Sequence, residues 1–194
     1  HLEQSKKYVQ AVWEQIAERF AEYDEKLIFE TLNEPRHTGT DHEWWVDANS
    51  EVGKECIDSV NQLNQTAVDT IRANGKGYNT SRYIMAPGYC ASPDFALADG
   101  FILPTDSGSA ENRILVSVHA YTPYPFALAG ESDQNSTDQF SIADKNGTAD
   151  IDAFMKKLYD KFISKGTGVV IGEFGARAKG NNVDQPRNLA KSVT

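Results

Sequence analysis

The chain has 194 residues, of which 40% are hydrophobic and 24% charged, with 19 Lys and Arg against 28 Asp and Glu. This composition excludes a fibrous or broadly disordered chain, and the length predicts a single domain over residues 1–194. The net charge of −9 argues against nucleic acid and anionic membranes as partners, because phosphate contacts come from Lys and Arg. No apolar run reaches the roughly 18 residues that a membrane-spanning helix needs.

Hydrophobic spacing along the chain predicts helices that alternate with strands. In chain order the predicted elements are a helix over about 2–23, a strand over 26–33, a helix over about 44–74, a strand over 83–89, a short helix over 92–98, a strand over 114–119, a long polar loop over 122–148, a helix over 151–164, a strand over 169–174 and a weakly patterned tail over 178–194.

This alternation predicts an α/β fold in which helices cover a parallel sheet, either a doubly wound sheet or a (β/α)8 barrel. No glycine-rich phosphate loop follows a predicted strand, which argues against a dinucleotide site. Polar residues follow the strands: Asn33 and Glu34 come after the first, His119 and Tyr121 after the third, and Glu173 lies in the fourth. Because barrel active sites lie at the carboxyl ends of strands, this pattern favours the barrel.

Two carboxylates lie beside apolar runs. Glu34 directly follows a predicted strand, and Glu173 lies between a hydrophobic run and a glycine. A carboxylate so near a core is costly to desolvate unless it is paired or functional. Glycoside hydrolysis needs two such groups, one to protonate the leaving oxygen and one to attack the anomeric carbon or activate water. The alternative is that each carboxylate caps a helix or pairs with an Arg.

Three segments carry a resemblance to a known family. The run Leu27–Arg36, with sequence LIFETLNEPR, resembles the strand-four segment of glycoside hydrolase family 5, the large cellulase family. The run 116–121 is similar to its strand-six His-x-Tyr segment, and the run 169–175 is similar to its strand-seven nucleophile segment. The sequence Glu43-Trp44-Trp45 is similar to the endoglucanase branch that includes xyloglucan-active and broad-specificity members.

The resemblance implies a role for each matched position. Glu34 would be the general acid/base and Glu173 the nucleophile of a configuration-retaining reaction, with the two carboxyl groups about 5–5.5 Å apart. Asn33 would hydrogen-bond the 2-hydroxyl of the sugar at the cleavage point. Tyr121 would hold Glu173, and His119 would contact the sugar or the acid/base. The resemblance implies no metal and no organic cofactor.

Aromatic side chains near these segments are candidates for stacking on sugar rings, since such rings cover the apolar faces of pyranoses. The candidates are Trp44, Trp45, Tyr121, Tyr124 and Phe126. The alternative for Trp44 and Trp45 is that they begin the helix predicted over 44–74, with one of them in the core.

Two further groups of residues have simpler interpretations. His37, Asp41 and His42 could be read as metal ligands, but their spacing matches no zinc signature and we expect a solvated loop. Cys56 and Cys90 do not form a disulfide framework. They are either two buried thiols or one optional bridge.

The family barrel has eight strands and about 250 residues or more, whereas four strands are predicted here. The resemblance makes them strands four to seven, so the chain would begin in the helix before strand four and end in the helix after strand seven. A partial barrel leaves two unpaired strand edges and an uncovered inner face. We therefore expect self-association or a complementary barrel segment; two paired copies would be antiparallel at their seams and would not rebuild the barrel.

Taken together, the resemblance implies a secreted, retaining, endo-acting hydrolase of β-1,4-glucan, with the signal peptide not in this chain. The alternative is a catalytically impaired or inactive fragment of such an enzyme that binds glycan or associates with other chains.

Overall fold

The computed structural model describes residues 1–142, 145–180 and 184–194. Helices and strands alternate along the chain. The elements are α1 (Leu2–Arg19), β1 (Phe29–Glu30), α2 (Glu51–Ala73), a 3₁₀ turn (Gly77–Thr80), β2 (Ile84–Pro87), a 3₁₀ turn (Tyr89–Ala91), α3 (Pro93–Leu97), β3 (Ile114–Ala120), α4 (Tyr124–Ala127), α5 (Lys145–Lys161), a 3₁₀ turn (Ile163–Lys165), β4 (Val169–Phe174) and α6 (Asp184–Val193).

The four strands form one parallel sheet in the order β1-β2-β3-β4, so β1 and β4 are its edges within the described residues. Glu30 lies beside Met85, and Met85 lies beside Leu115. A doubly wound sheet reverses its strand order at a switch point, whereas a barrel keeps chain order. The predicted α/β class is confirmed, and the sheet has the topology of a (β/α)8 barrel segment.

One face of the sheet packs against the helices. Val116 and Val118 are fully buried in a core that includes residues of α3 and α5, and Ile84 is buried in a second core with residues of α1 and α2. Because side chains alternate along a strand, the intervening residues project from the other side of the sheet. We call this side the inner face; it carries Glu30, Met85, Leu115, Ser117 and Val170.

A buried polar network holds the end of β1 where the candidate site begins. Trp13 Nε1 donates to the Thr31 carbonyl oxygen at 3.0 Å, and Thr31 Oγ1 donates to Asn64 Oδ1 at 2.7 Å. Asn64 Nδ2 then donates to the Pro87 carbonyl oxygen at 2.8 Å. Helices α1 and α2 and strand β2 are therefore fastened to the chain two residues before Asn33.

The start of the second helix differs from the prediction. Helix α2 begins at Glu51, because the Ser50 side chain accepts a hydrogen bond from the Gly53 backbone nitrogen and caps it there. Trp44 and Trp45 precede the helix and are 59% and 68% exposed. The alternative in which they begin the helix, with one of them in the core, is wrong, and both rings are exposed for stacking.

Other boundaries differ too. Strand β1 has only two residues, α5 begins at Lys145 inside the predicted loop, and α6 occupies most of the predicted tail. The tail forms a helix because Leu189 is buried in the core at 1% exposure. Positions 143 and 144 of the predicted loop and 181–183 of the predicted tail lie outside the described residues.

Cys56 and Cys90 are both buried free thiols, so the bridge does not form. Burial raises the pKa of the Cys90 thiol to about 12. In the described part of the chain, no helix combines the length and the apolar character required to cross a bilayer.

Candidate active site

Four predicted residues meet at the carboxyl ends of β1, β3 and β4. His119 Nδ1 lies 2.9 Å from Glu34 Oε1 and 3.5 Å from Glu173 Oε2. Tyr121 donates its hydroxyl hydrogen to Glu173 Oε2 at 2.8 Å. The His119 side chain is 2% exposed, whereas the side chains of Glu34 and Glu173 are 19% and 42% exposed. The structure therefore places both carboxylates on one buried imidazole.

Strand pairing explains why β3 and β4 bring their side chains together. His119 lies beside Glu173 and Ala120 beside Phe174, after a register shift that follows Val118. A shift of this kind lets a strand re-aim a side chain near an active site. The result is that both polar side chains face the same end of the sheet.

Glu34 reaches the same place through an unusual backbone conformation. Its φ angle is +43°, a value that costs energy for a residue with a side chain. The segment is held by Cys90, whose backbone nitrogen donates to the Pro35 carbonyl oxygen at 2.9 Å. Strained residues that the surrounding structure enforces cluster at functional sites, which fits a catalytic position for Glu34.

Tyr121 is electrostatically coupled to Glu173. The hydrogen bond that Tyr121 donates to Glu173 raises the pKa of Tyr121 to about 12, and burial adds to the effect. The hydroxyl therefore remains protonated and remains a donor at neutral pH. A donor at this position stabilises the ionised form of the carboxylate that accepts from it.

A third carboxylate, Glu30, lies on the inner face behind the imidazole. Ser117 Oγ donates to Glu30 Oε1, and the same oxygen lies 3.8 Å from His119 Nε2. Sequence reasoning assigned Glu30 no role. The available signal was a carboxylate within an apolar run, which is the same signal that singled out Glu173.

An arginine links Glu34 to the loop that follows it. Arg36 donates to the Glu34 carbonyl oxygen at 3.0 Å and to Glu43 Oε1 at 3.3 Å, and its guanidinium lies 3.9 Å from the Trp44 ring centroid. The Gly39 backbone nitrogen donates to Glu43, and this bond, with Arg36, lowers the pKa of the Glu43 carboxyl. Sequence reasoning also missed Arg36 and Glu43, although Arg36 directly follows the Asn-Glu-Pro motif.

The remaining predicted residues lie around the central group, not within its hydrogen bonds. Asn33 is exposed beside Glu34. Tyr124 is 61% exposed and borders a cleft of about 750 Å³ between the loops that follow β3 and β4. Phe126 is 3% exposed and packs on Phe140 with ring centroids 5.3 Å apart, so the prediction that it could stack on sugar is wrong.

The loop with His37, Asp41 and His42 is fastened by Tyr89. The Tyr89 hydroxyl accepts from the His37 backbone nitrogen at 2.9 Å and donates to the His42 carbonyl oxygen at 2.7 Å. Burial raises the pKa of Tyr89 to about 12, so this hydroxyl stays a donor. Within the described ranges these loop residues form no cluster with metal-ligand spacing.

One group in the described part of the chain does have ligands close enough for a metal ion. The donor atoms of Glu34, His119 and Glu173 lie within 4.8 Å of one another. However, Glu34 and His119 already share a hydrogen bond, and Glu173 accepts from Tyr121. These mutual bonds favour a hydrogen-bonded carboxylate pair over a metal centre.

Solved structures of glycoside hydrolase family 5 have the same fold as this chain. A family 5 lichenase variant from Caldicellulosiruptor sp. F32, solved with cellotetraose, is 48% identical with a TM-score of 0.95 and covers 100% of this chain and 51% of that chain. A broad-specificity endoglucanase from Ruminococcus champanellensis, solved with cellotriose, is 34% identical with a TM-score of 0.80. That match covers 99% of this chain and 52% of that chain. The four strands are thus a portion of the family's barrel.

Curated relatives give the same result. Endoglucanase B from Neocallimastix patriciarum is 39% identical over 187 residues, which are 96% of this chain and 36% of that protein. Endoglucanase 1 from Ruminococcus albus is 41% identical over 181 residues, which are 93% of this chain and 40% of that protein. The chain thus spans well under half the length of these relatives. The sequence model of the cellulase family, glycosyl hydrolase family 5, matches residues 1–192, and the chain belongs to that family.

Proposed function

We propose that this chain carries both catalytic carboxylates of a retaining, endo-acting β-1,4-glucan hydrolase. The observation that supports this most directly is the approach of Glu34 and Glu173 to the same ring nitrogen of His119, with one carboxylate oxygen of each within 4.8 Å of the other. Retaining glycosidases hold their two carboxyl groups about 5–5.5 Å apart, whereas inverting enzymes leave about 6.5–9.5 Å for a water molecule. The spacing here fits direct attack by a carboxylate.

In the proposed first step, Glu173 attacks the anomeric carbon while Glu34 transfers its proton to the glycosidic oxygen. The glycosidic bond breaks, the new chain end leaves, and the sugar remains esterified to Glu173. In the second step Glu34 takes a proton from water, and that water attacks the anomeric carbon. Glu173 is released, and two displacements restore the original configuration.

The neighbouring residues position these two groups. Tyr121 holds the Glu173 carboxylate towards the substrate and stabilises its charge. Asn33 lies beside Glu34, where its amide can hydrogen-bond the 2-hydroxyl of the sugar under attack. Trp44 and Tyr124 present exposed rings that can stack on neighbouring sugars.

The substrate class is proposed from the relatives. The matched structures include a lichenase with cellotetraose and an endoglucanase with cellotriose. Both sugars are short β-glucans. A polymer substrate of this kind fits a secreted protein, so we propose an extracellular location. Because the matched structures are about twice as long, we also propose that a complementary barrel segment completes the site, and that without it the chain associates with a second copy.

The proposal is tested by the initial rate of reducing-end release from a soluble β-glucan at mildly acidic pH. Glu173→Gln removes the nucleophile while it keeps the shape of the side chain, so turnover should fall by several orders of magnitude. Glu111→Gln, in an exposed loop, is the matched control and should keep the rate of the unaltered chain. A fluorinated glycoside that accumulates on Glu173, detected by mass spectrometry, would identify the covalent intermediate.

Two outcomes would contradict the proposal. Turnover that survives Glu173→Gln would exclude this residue as the nucleophile. Glucan binding without turnover, in a folded chain supplied with its complementary segment, would favour the binding fragment over the enzyme.

A further inference from the structure

Glu30 is a carboxylate that the two-step mechanism does not use. Its side chain is 27% exposed on the inner face, and it accepts a hydrogen bond from Ser117, which is fully buried. Among the described residues, His119 lies within ion-pair distance of Glu30, whereas no Lys or Arg does. A partly buried carboxylate without a cationic partner is costly, so its position calls for a reason.

The imidazole of His119 lies between acidic groups on opposite sides. Nδ1 faces Glu34 Oε1 at 2.9 Å and Glu173 Oε2 at 3.5 Å, and Nε2 faces Glu30 Oε1 at 3.8 Å. Two further groups face this cluster: Tyr121 donates to Glu173 at 2.8 Å, and the Arg36 guanidinium lies 3.9 Å from Glu34 Oε2. The distance to Glu30 is too long for a hydrogen bond, so the influence of Glu30 on the ring is electrostatic.

The position of the ring proton determines what Glu34 can do. A neutral imidazole carries one N–H, on either Nδ1 or Nε2. With the proton on Nδ1, the ring donates to Glu34 and favours its carboxylate form, which cannot protonate a leaving group. With the proton on Nε2, Nδ1 is an acceptor, so the 2.9 Å contact requires Glu34 in its carboxylic acid form, the form that can protonate a leaving group.

The carboxylates of Glu173 and Glu30 favour opposite positions of the His119 ring proton. Ionised Glu173 attracts the ring proton to Nδ1, and ionised Glu30 attracts it to Nε2. Ser117 holds Glu30 in the position where its charge faces Nε2. The same carboxylate is therefore placed to offset the effect of the nucleophile.

We infer that Glu30 is a positioning residue that keeps the His119 proton on Nε2, so that Glu34 retains the proton it delivers to the leaving group. The inference rests on the proposed function of Glu34. It assigns Glu30 and Ser117 a role through His119, without contact between either residue and the sugar.

Nuclear magnetic resonance of the chain with ¹⁵N-labelled histidine tests the inference without turnover, because protonated and unprotonated ring nitrogens resonate far apart. The His119 signals are identified by their loss in His119→Gln. We expect an unprotonated Nδ1 at neutral pH. Glu30→Gln should shift the tautomer ratio towards Nδ1–H on the order of tenfold, whereas Glu111→Gln should not change it.

Kinetics give a second readout. Glu30→Gln should lower kcat on soluble β-glucan on the order of tenfold, while KM changes by less than about twofold, since ground-state binding is untouched. Ser117→Ala keeps the charge of Glu30 but frees its carboxylate, so a smaller change in the same direction is expected. Ser117→Ala also supplies the ring measurement if Glu30→Gln fails to fold.

The outcomes separate this inference from the proposed function. Ring signals that stay unchanged in a folded Glu30→Gln chain would overturn the role of Glu30, even if the chain hydrolyses glucan. Ring signals that change as expected, in a chain that does not hydrolyse glucan even when supplied with its complementary segment, would support the role of Glu30 in setting the tautomer and count against the catalytic proposal.

Discussion

At the scale of single residues, the hydrogen bond from Tyr121 fixes the orientation of the Glu173 carboxylate. Its hydroxyl donates at 2.8 Å, and this bond raises the pKa of Tyr121 to about 12. The pKa of an unfolded tyrosine is about 10, so the raised pKa marks a stabilising contact of the protonated hydroxyl. That contribution is full below about pH 10 and is lost as the pH rises through about 12.

We expect Tyr121→Phe to lower kcat/KM on soluble β-glucan by about ten- to a hundredfold. The change removes a hydrogen bond to a charged group, which is worth about 1.5–3 kcal/mol. Tyr159→Phe is the matched control, since Tyr159 lies on α5 and is 54% exposed. A loss confined to KM would show instead that Tyr121 binds the sugar and does not hold the nucleophile.

Trp44 and Trp45 are adjacent and similarly exposed, but only Trp44 lies against Arg36, at 3.9 Å. A ring held by a guanidinium loses less freedom when a sugar stacks on it. Trp44→Ala should therefore raise KM for β-glucan about tenfold, with a smaller rise for Trp45→Ala. Equal effects in steady-state kinetics would show that Arg36 does not preorganise the Trp44 ring.

The sequence predicts which residues belong to the site better than it predicts the contacts between them. Glu34, His119, Tyr121 and Glu173 are predictable because each stands at the end of an apolar strand and matches a family motif. Their contact requires the strand register, which no local pattern encodes. Glu30 is equally visible in the sequence, but its role depends on a serine 87 positions away that reaches across the sheet.

At the scale of elements, the buried Arg82 joins α1 to the chain that leads into β1. The fully buried guanidinium donates to the carbonyl oxygens of Phe20, Tyr23 and Leu27 at 2.9, 3.0 and 2.9 Å. It also lies 4.3 Å from the Phe29 ring centroid. One side chain thus satisfies backbone groups that would otherwise be buried without partners.

Arg82→Ala should lower the free energy of unfolding by about 3 kcal/mol or more, because several buried acceptors lose their donor at once. Urea denaturation followed by circular dichroism measures this. Arg113→Ala is the control, since Arg113 stacks on Tyr83 at 4.4 Å and lies only partly buried. A loss no larger than that of the control would mean that water replaces the guanidinium.

Element boundaries were less predictable than element types. The long helix begins after the Ser50 cap, although apolar spacing extends back towards Trp44. The strand predicted over 26–33 shrinks to two residues, because a strand is defined by its partners and only Phe29 and Glu30 pair with β2. Helix α6 is not predicted from the sequence, because its stability comes from burial of Leu189 in a core formed with residues far from it in the chain.

At the scale of the whole molecule, the inner face is the surface that this chain leaves open. Met85, Leu115 and Val170 are half-buried there, and among the described residues β1 and β4 are the unpaired edges of the sheet. Strand edges and apolar faces of this kind associate with complementary chains. The apolar pattern of the sequence predicts the four strands. It does not specify which chain or segment packs against their inner face, because that contact depends on the partner surface.

We expect the chain on its own to sediment as a dimer or larger species at micromolar concentration. Val170→Lys places a charge on the inner face beside an open edge, where burial in an interface would cost several kcal/mol, so it should shift the species towards monomer. Tyr159→Lys adds the same charge on α5 and should leave association unchanged. A monomeric mass with a cooperative melt for the unaltered chain would overturn the association hypothesis, because the inner face would then tolerate water.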